Sequence, residues 1–183
     1  MIRSCRTYTP PSKDGEGERI LFLRYSALGD ILIVTPYCRA LKESYPRSHV
    51  TWLAYEQYVP FLREQPYIDS VLPWDKAAGE REFLSLLRRV GRERFTRLVS
   101  FHSSDRGALI ALFSKTPLRF CNASKWGALY DTPRDLSFWT AHDLRIPEGS
   151  ALGYVVTPDM RKRAASLLGE HASRPFILGA IGA

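Results

Sequence analysis

The stretch ILFLRYSALGD, Ile20 to Asp30, decides how this chain is expected to fold. Its first six residues are mostly apolar or aromatic, which indicates a buried strand. The glycine-containing turn that follows, Ser26 to Asp30, leads into apolar residues at helical spacing from Ile31 to Tyr45. Pro36 lies inside that segment, so we expect the helix to kink there or its regular part to start near it. A strand, a short turn and a helix are the first half of a βαβ unit.

The same alternation continues along the chain. Strands alternating with helices at this spacing predict an α/β fold, with a Rossmann-like parallel sheet and flanking helices. The segment from Asn122 to Pro147 has little pattern and is expected to be irregular. Further strands are predicted at 49–54, 70–73, 97–101 and 118–121, and further helices near 58–63, 83–90, 107–113 and 157–168.

Length and composition predict one full domain. The first 19 residues are polar and rich in Pro, Gly and charge, so we expect a flexible tail over 1–19. The domain is expected over 20–170. Residues 171–183 are interpreted as a linker and, at Pro175 to Leu178, the first strand of a further domain that is cut off. The three cysteines lie far apart and fit free thiols in a reducing cytosol.

The net charge of +7 favours anionic partners: phosphorylated sugars, an anionic membrane surface or nucleic acid. Nucleic acid is not expected, because the basic residues do not interleave with aromatic ones and no nucleic-acid-binding motif is present. The sequence has no apolar run long enough to cross a bilayer, so membrane contact would be peripheral. The basic groups Arg88, Arg89, Arg92, Arg94 and 161–163 are interpreted as solvated faces, with contact to anionic lipid as the alternative.

The turn after the first strand carries the chemistry. In open α/β folds, ligands bind at the carboxyl edge of the sheet, where a helix amino terminus favours anions. The spacing is neither GxGxxG nor a Walker loop, so no nicotinamide or ATP site is indicated. Asp30 lies at this edge and could accept a proton from a sugar hydroxyl as a general base. The alternative is that Asp30 simply caps the helix.

The segment ILFLRYSALGDILIVTPYCRALKESYP resembles the amino-terminal signature of the ADP-heptose:lipopolysaccharide heptosyltransferases, glycosyltransferase family 9. HVTWLAYEQYVPFLREQPYIDSVLPWDK looks like the second unit of that family, and RLVSFHSSDRGALIALFSKTPLRF is similar to its next strand, polar loop and helix. Three motif-bearing units in family order make the resemblance specific over about residues 20 to 121.

The resemblance implies a GT-B architecture with two lobes and no required metal or other cofactor. This chain would be the amino-terminal, acceptor-binding lobe, with the carboxyl-terminal lobe truncated. It implies transfer of a sugar, expected to be heptose, from an ADP-sugar to an anionic lipopolysaccharide core acceptor, with inversion. A cytoplasmic protein that is peripheral at the inner membrane face fits this activity. The chain alone is expected to be inactive; the alternative is a non-catalytic module that binds a phosphorylated glycan or a protein.

The candidate site residues come from two loops. Asp30 matches the proposed catalytic base of the family. Ser26 and Gly29 match its surrounding loop, and Arg24 matches its strand-end arginine, which would serve phosphate or remain an ion-paired scaffold residue. After the fourth strand, four polar side chains are candidates for acceptor hydroxyl and phosphate contacts, or else merely polar loop residues at a helix start: His102, Ser103, Ser104 and Arg106.

Overall fold

The computed structural model describes residues 8–122, 126–131, 137–145, 152–169 and 171. The described strands are β1 (Arg19–Leu23), β2 (His49–Tyr55), β3 (Ser70–Trp74), β4 (Arg97–Ser100) and β5 (Leu118–Cys121). The described α-helices are α1 (Leu28–Ser44), α2 (Val59–Arg63), α3 (Gly79–Arg92), α4 (Asp105–Phe113), α5 (Phe138–Ala141) and α6 (Pro158–Leu168).

The five strands form one parallel sheet in the order β3-β2-β1-β4-β5. β1 lies at its centre, where Ile20 pairs with Val50 of β2 and with Arg97 of β4. Strand order reverses at β1, because β2 and β3 extend to one side and β4 and β5 to the other. The prediction of a Rossmann-like parallel α/β sheet is confirmed.

Alternate side chains of a strand point to opposite faces of the sheet, so apolar strands offer two faces to be covered. Helices cover both of them. Ile20 and Phe22 belong to a core that includes buried residues of α1, α2 and α5. Leu21 and Leu23 belong to the core on the other face, with α3 and α4. The sheet is therefore buried on both sides, as its continuous apolar strands require.

Helix α1 differs from its prediction in where it begins. It runs from Leu28 through Pro36 to Ser44, so its regular part starts eight residues before the proline. The Ile31 N–H already donates to the Ala27 carbonyl at 2.9 Å, which closes the first turn.

The predicted flexible tail over 1–19 is wrong from Tyr8 onward. Tyr8 is 3% exposed, and its hydroxyl lies 2.8 Å from His142 Nε2. Arg97 donates to the Pro10 carbonyl at 3.1 Å and pairs with Glu18, while Arg19 already lies in β1. The buried ring of Tyr8 and the carbonyl that accepts from buried Arg97 hold this segment in place. The segment is still polar in composition, so its composition does not reveal this packing.

Residues 152–157, which we call the strap, pack across α1 and α2. Gly153 packs on the α1 backbone, where an added Cβ would lie 2.7 Å from Pro36 N. The Gln65 side chain bonds both the N–H and the carbonyl of Val155, at 2.8 and 3.2 Å, and the Tyr154 ring stacks on Phe61. Short helix α5 lies in the segment predicted to be irregular.

Two further predictions concern the ends of the chain and its cysteines. Residues 1–7, with Cys5, and the predicted strand at 175–178 lie outside the described residues. Cys38 and Cys121 are buried free thiols. Within the described ranges, the helices are too short or too polar for any of them to cross a membrane.

Candidate active site

The candidate site lies where the strand order of the sheet reverses. The loop after β1 leads to α1 on one face, and the loop after β4 leads to α4 on the other, so the two loops diverge at the carboxyl edge. Open α/β sheets bind ligands in the crevice at such a point. The two loops nevertheless touch where they begin, because Arg24 bonds the Phe101 carbonyl and Tyr25 contacts His102.

Asp30 occupies the third position of α1 and caps the helix. Its Oδ2 accepts from the Ala27 N–H at 3.3 Å and pairs with Arg24. Among the described residues, no partner contacts Oδ1, and the side chain is 49% exposed. The Ala27 hydrogen bond and then the Arg24 charge lower the pKa of Asp30 below its ordinary value, so the carboxylate is ionised at neutral pH. Asp30 therefore caps the helix through Oδ2, as the alternative interpretation expects, while Oδ1 faces solvent.

Arg24 is tied to both loops. Its Nη1 donates to the Phe101 carbonyl, just after β4, at 2.5 Å, while Nη2 pairs with Asp30. Its side chain is 18% exposed, and Nε is buried without a partner among the described residues. The structure favours the ion-paired scaffold interpretation of Arg24, because a ligand phosphate would have to compete with Asp30 for its guanidinium.

His102 packs against Tyr25, with 3.8 Å between the ring centroids. Burial and then the nearby Arg24 charge lower the pKa of His102 to about 4, so the imidazole is neutral at pH 7. Its Nδ1 is buried and, in the described part of the chain, has no hydrogen-bond partner. A neutral imidazole offers a hydrogen bond but no charge to a phosphate.

The remaining residues after β4 have different surroundings. Ser103 is exposed. Ser104 caps α4 by accepting from the Gly107 N–H at 3.0 Å, and its Oγ lies 2.5 Å from the Tyr25 hydroxyl. Arg106 pairs with Glu80, and its guanidinium lies over the ring of Trp74, 5.6 Å from the centroid. A ligand at Arg106 would therefore have to compete with Glu80.

Gly29 and Ser26 lie on the open side of the first loop. Nothing lies within 4 Å of a Cβ built on Gly29, so a ligand can approach the start of α1 closely. Ser26 lines a neighbouring cavity of about 730 Å³, which Asp30 does not line. The other residues of its wall follow β2 and β3 or end them: Tyr55, Glu56, Gln57, Tyr58, Trp74, Asp75, Lys76 and Ala77.

Sequence reasoning missed the aromatic residues beneath this edge. The rings of Tyr25, Tyr55 and Trp74 contact one another, with centroids 4.9 to 5.1 Å apart. Tyr55 and Trp74 end their strands and Tyr25 lies two residues after β1, and that position at the carboxyl edge of the sheet was the one available signal. Among the described residues, no group of three or more His, Cys, Asp or Glu could hold a metal ion.

Comparison with curated proteins finds glycosyltransferases. The lipopolysaccharide core heptosyltransferase OpsX of Haemophilus influenzae is 26% identical over 100 residues, which are 55% of this chain and 28% of that protein. A putative glycosyltransferase of the same organism is 28% identical over 109 residues, 60% of this chain and 32% of its own. No protein-family model matches the chain.

Solved structures show the same fold. The glycosyltransferase family 9 protein of Veillonella parvula superposes with a TM-score of 0.69 at 20% identity, covering 88% of this chain and 51% of its own. ADP-heptose lipopolysaccharide heptosyltransferase II of E. coli gives 0.59 at 16% identity, covering 86% and 52%. The chain thus spans about half the length of these GT-B-type enzymes, and about a third or less of the curated relatives is matched.

Proposed function

From its confirmed resemblance to the heptosyltransferases of glycosyltransferase family 9, we propose that this chain supplies the acceptor-binding side of such an enzyme, with Asp30 as the general base. The observation that carries the proposal is the two-sided environment of the Asp30 carboxylate. One oxygen is fixed by Ala27 and Arg24, and the other is open to solvent at the strand-order reversal. A fixed, ionised carboxylate with one open oxygen is suited to take a proton from an incoming hydroxyl.

The reaction follows from that position. Asp30 Oδ1 accepts the proton of an acceptor hydroxyl while that oxygen attacks the anomeric carbon of the nucleotide sugar. The new C–O bond forms as the anomeric carbon–oxygen bond to the diphosphate breaks, and the departing ADP takes the bonding electron pair. Attack from the face opposite the leaving group inverts the anomeric centre.

The start of α1 supports anion binding beside the base. The N–H groups of the first turn, from Leu28 to Asp30, have no partners within the helix, and the helix dipole places partial positive charge there. The open space at Gly29 lets a phosphate approach these groups. We assign this point to a phosphate of the acceptor or the donor, with Ser26, His102 and Ser103 as neutral hydrogen-bonding side chains around it.

The substrates we propose are an ADP-heptose-type donor and an anionic lipopolysaccharide core acceptor. The names of the relatives include both, and the net charge of +7 agrees with an anionic acceptor. Because such an acceptor is anchored in a membrane, we place the protein in the cytoplasm, in peripheral contact with the inner membrane face.

Turnover is expected to need more than these 183 residues. The chain covers about half of the solved family structures, and we assign most of the donor site to the half that it does not cover. The chain alone should therefore give no transfer from ADP-heptose above background. Robust turnover by the chain alone would contradict this assignment.

Acceptor binding is testable on the chain itself by nuclear magnetic resonance. Titration with a deacylated, phosphorylated core oligosaccharide should shift the amide signals of both loops and of the helix starts that follow them, 26–31 and 102–106, and leave those of α6 unchanged. Asp30→Asn should still bind, because asparagine keeps an acceptor oxygen for the Ala27 N–H. Shifts confined to one loop, or absent, would contradict an acceptor site between the loops.

A further inference from the structure

Half of the large apolar side chains that are exposed in the described part of the chain lie on one outer surface of the domain. They project from α3, from α4 and from the turn just before residue 127, and are 40 to 51% exposed: Leu84, Leu109, Leu112, Phe113 and Trp126. We refer to these five residues as the α3–α4 patch. An ordinary protein surface exposes large apolar side chains singly, whereas here five lie in one region.

The patch is continuous because α3 and α4 lie side by side. Arg106 pairs with Glu80 near the amino-terminal ends, and a Cβ built on Gly91 would lie 3.0 Å from the Phe113 carbonyl near the carboxyl-terminal ends. Leu84 lies one turn after Glu80, on the side of α3 that faces α4. Trp126 joins the patch at the start of α4, where its Nε1 donates to Asp105 at 2.9 Å.

Basic side chains border the patch. Arg81, Arg88 and Arg92 share the outer face of α3 at helical spacing, and Arg94 and Lys115 follow the ends of the two helices. Within the described ranges these five form no ion pair, whereas other arginines do, for example Arg47 with Asp14. The neighbouring acids Glu80, Glu82 and Glu93 are each paired with an arginine.

We propose that the α3–α4 patch docks on an anionic lipid membrane. Apolar side chains bordered by arginines, with a tryptophan among them, match the acyl boundary and the negative headgroups together. A second copy of the chain fits this surface poorly, because the cations of the two copies would face one another. The surface also adjoins the candidate site, because α4 begins directly after the loop that carries His102 and Ser103. Docking here extends the proposed function by bringing that site to a membrane-anchored acceptor.

The test is co-sedimentation of the full chain with lipid vesicles. We expect binding to vesicles of 70% phosphatidylcholine and 30% phosphatidylglycerol, weak binding to pure phosphatidylcholine, and weakening by salt. Two double variants, Leu112→Glu with Phe113→Glu and Arg88→Glu with Arg92→Glu, should each lower the partition coefficient by roughly tenfold or more. Matched controls lie on α6, where Leu167→Glu and the pair Arg161→Glu with Lys162→Glu should stay within about twofold of the wild type.

The outcomes separate the surface from the catalytic proposal. The vesicles contain neither glycan nor nucleotide sugar, so Asp30→Asn should bind them like the wild type whatever its effect on transfer. Circular dichroism checks that the variants fold; all the substituted residues are exposed. Equal binding to both kinds of vesicle, unchanged binding by both patch variants, or equal loss in the α6 controls would overturn the proposal.

Discussion

At the scale of single residues, Asp30 and Arg24 form the least replaceable pair of the site. Arg24 joins the end of β1 to the Phe101 carbonyl after β4, and in the same place it holds one oxygen of Asp30. Its effect on a ligand is therefore indirect. We infer that Arg24 positions the carboxylate and lowers its pKa rather than binding phosphate itself.

Arg24→Gln should raise the pKa of Asp30 part of the way to the ordinary value of 3.8. The return is partial because the Ala27 hydrogen bond, the largest single cause of the lowered pKa, remains. A carboxyl carbon titration by nuclear magnetic resonance measures the shift. Arg39→Gln is the control, because it removes a different ion pair of α1, the one with Glu43. It should leave the pKa of Asp30 unchanged. An unchanged Asp30 titration in Arg24→Gln would contradict the positioning role.

At the scale of elements, we expect the first turn of α1 to bind the ligand at some cost in helix stability. Gly29→Ala should leave the free energy of unfolding unchanged or raise it by up to about 1 kcal/mol, because alanine favours helix and the added methyl meets no neighbour. Acceptor binding should weaken, since the methyl fills the approach to the backbone N–H groups. Urea unfolding and oligosaccharide titration measure the two effects. Unweakened binding would remove Gly29 from the site.

The strap over 152–157 is expected to depend on the absence of a side chain at Gly153. Gly153→Ala would place its Cβ 2.7 Å from the Pro36 backbone, so we expect a loss of about 1–3 kcal/mol in the free energy of unfolding. Gly127→Ala is the matched control, because nothing lies within 4 Å of its added Cβ. Equal stability of the two variants in urea would mean that the strap does not pack on α1.

At the scale of the whole molecule, His142 connects the amino-terminal segment to the core. It is fully buried, with Nδ1 2.9 Å from the Phe138 carbonyl and Nε2 2.8 Å from the Tyr8 hydroxyl. This arrangement fits the neutral ring with its proton on Nδ1. Burial lowers the pKa of His142 to about 4.

Acid should therefore destabilise the protein through His142. Between pH 6.5 and about 4 the unfolded chain binds a proton at this residue and the folded chain does not, so stability falls as pH falls, by on the order of 3 kcal/mol. Above pH 6.5 the contribution is fully present. Urea unfolding at several pH values measures the slope, which His142→Gln should reduce. An identical slope in that variant would contradict a buried neutral histidine.

The sequence predicted most of the sheet, because buried parallel strands are continuous apolar runs. HVTWLA and RLVSF lie within one residue of β2 and β4 as observed. The packed segment from Tyr8 escaped prediction, since its burial depends on His142, 134 residues away. Short α5 escaped as well, because four residues carry too little periodicity to indicate a helix.

The sequence predicted where the candidate site lies but not which of its residues contact one another. Asp30 was identified because a strand, a turn and a helix place the turn at the carboxyl edge. The contacts of Arg24 with Phe101 and of Tyr25 with His102 exist because β4 pairs directly with β1, and strand neighbours are not written in the order of the chain. Tyr25 was therefore assigned to a strand and not to the site.

The most direct test of Asp30 as general base is the rate of sugar transfer from ADP-heptose to a lipopolysaccharide core acceptor. It is measured on a form of the protein that also contains the donor-binding half, at saturating substrates. Asp30→Asn should lower kcat by roughly 10²- to 10⁴-fold without weakening acceptor binding, while Glu43→Gln on the same helix should match the wild type. A kcat for Asp30→Asn within a few-fold of the wild type would contradict the account and reduce Asp30 to a helix cap.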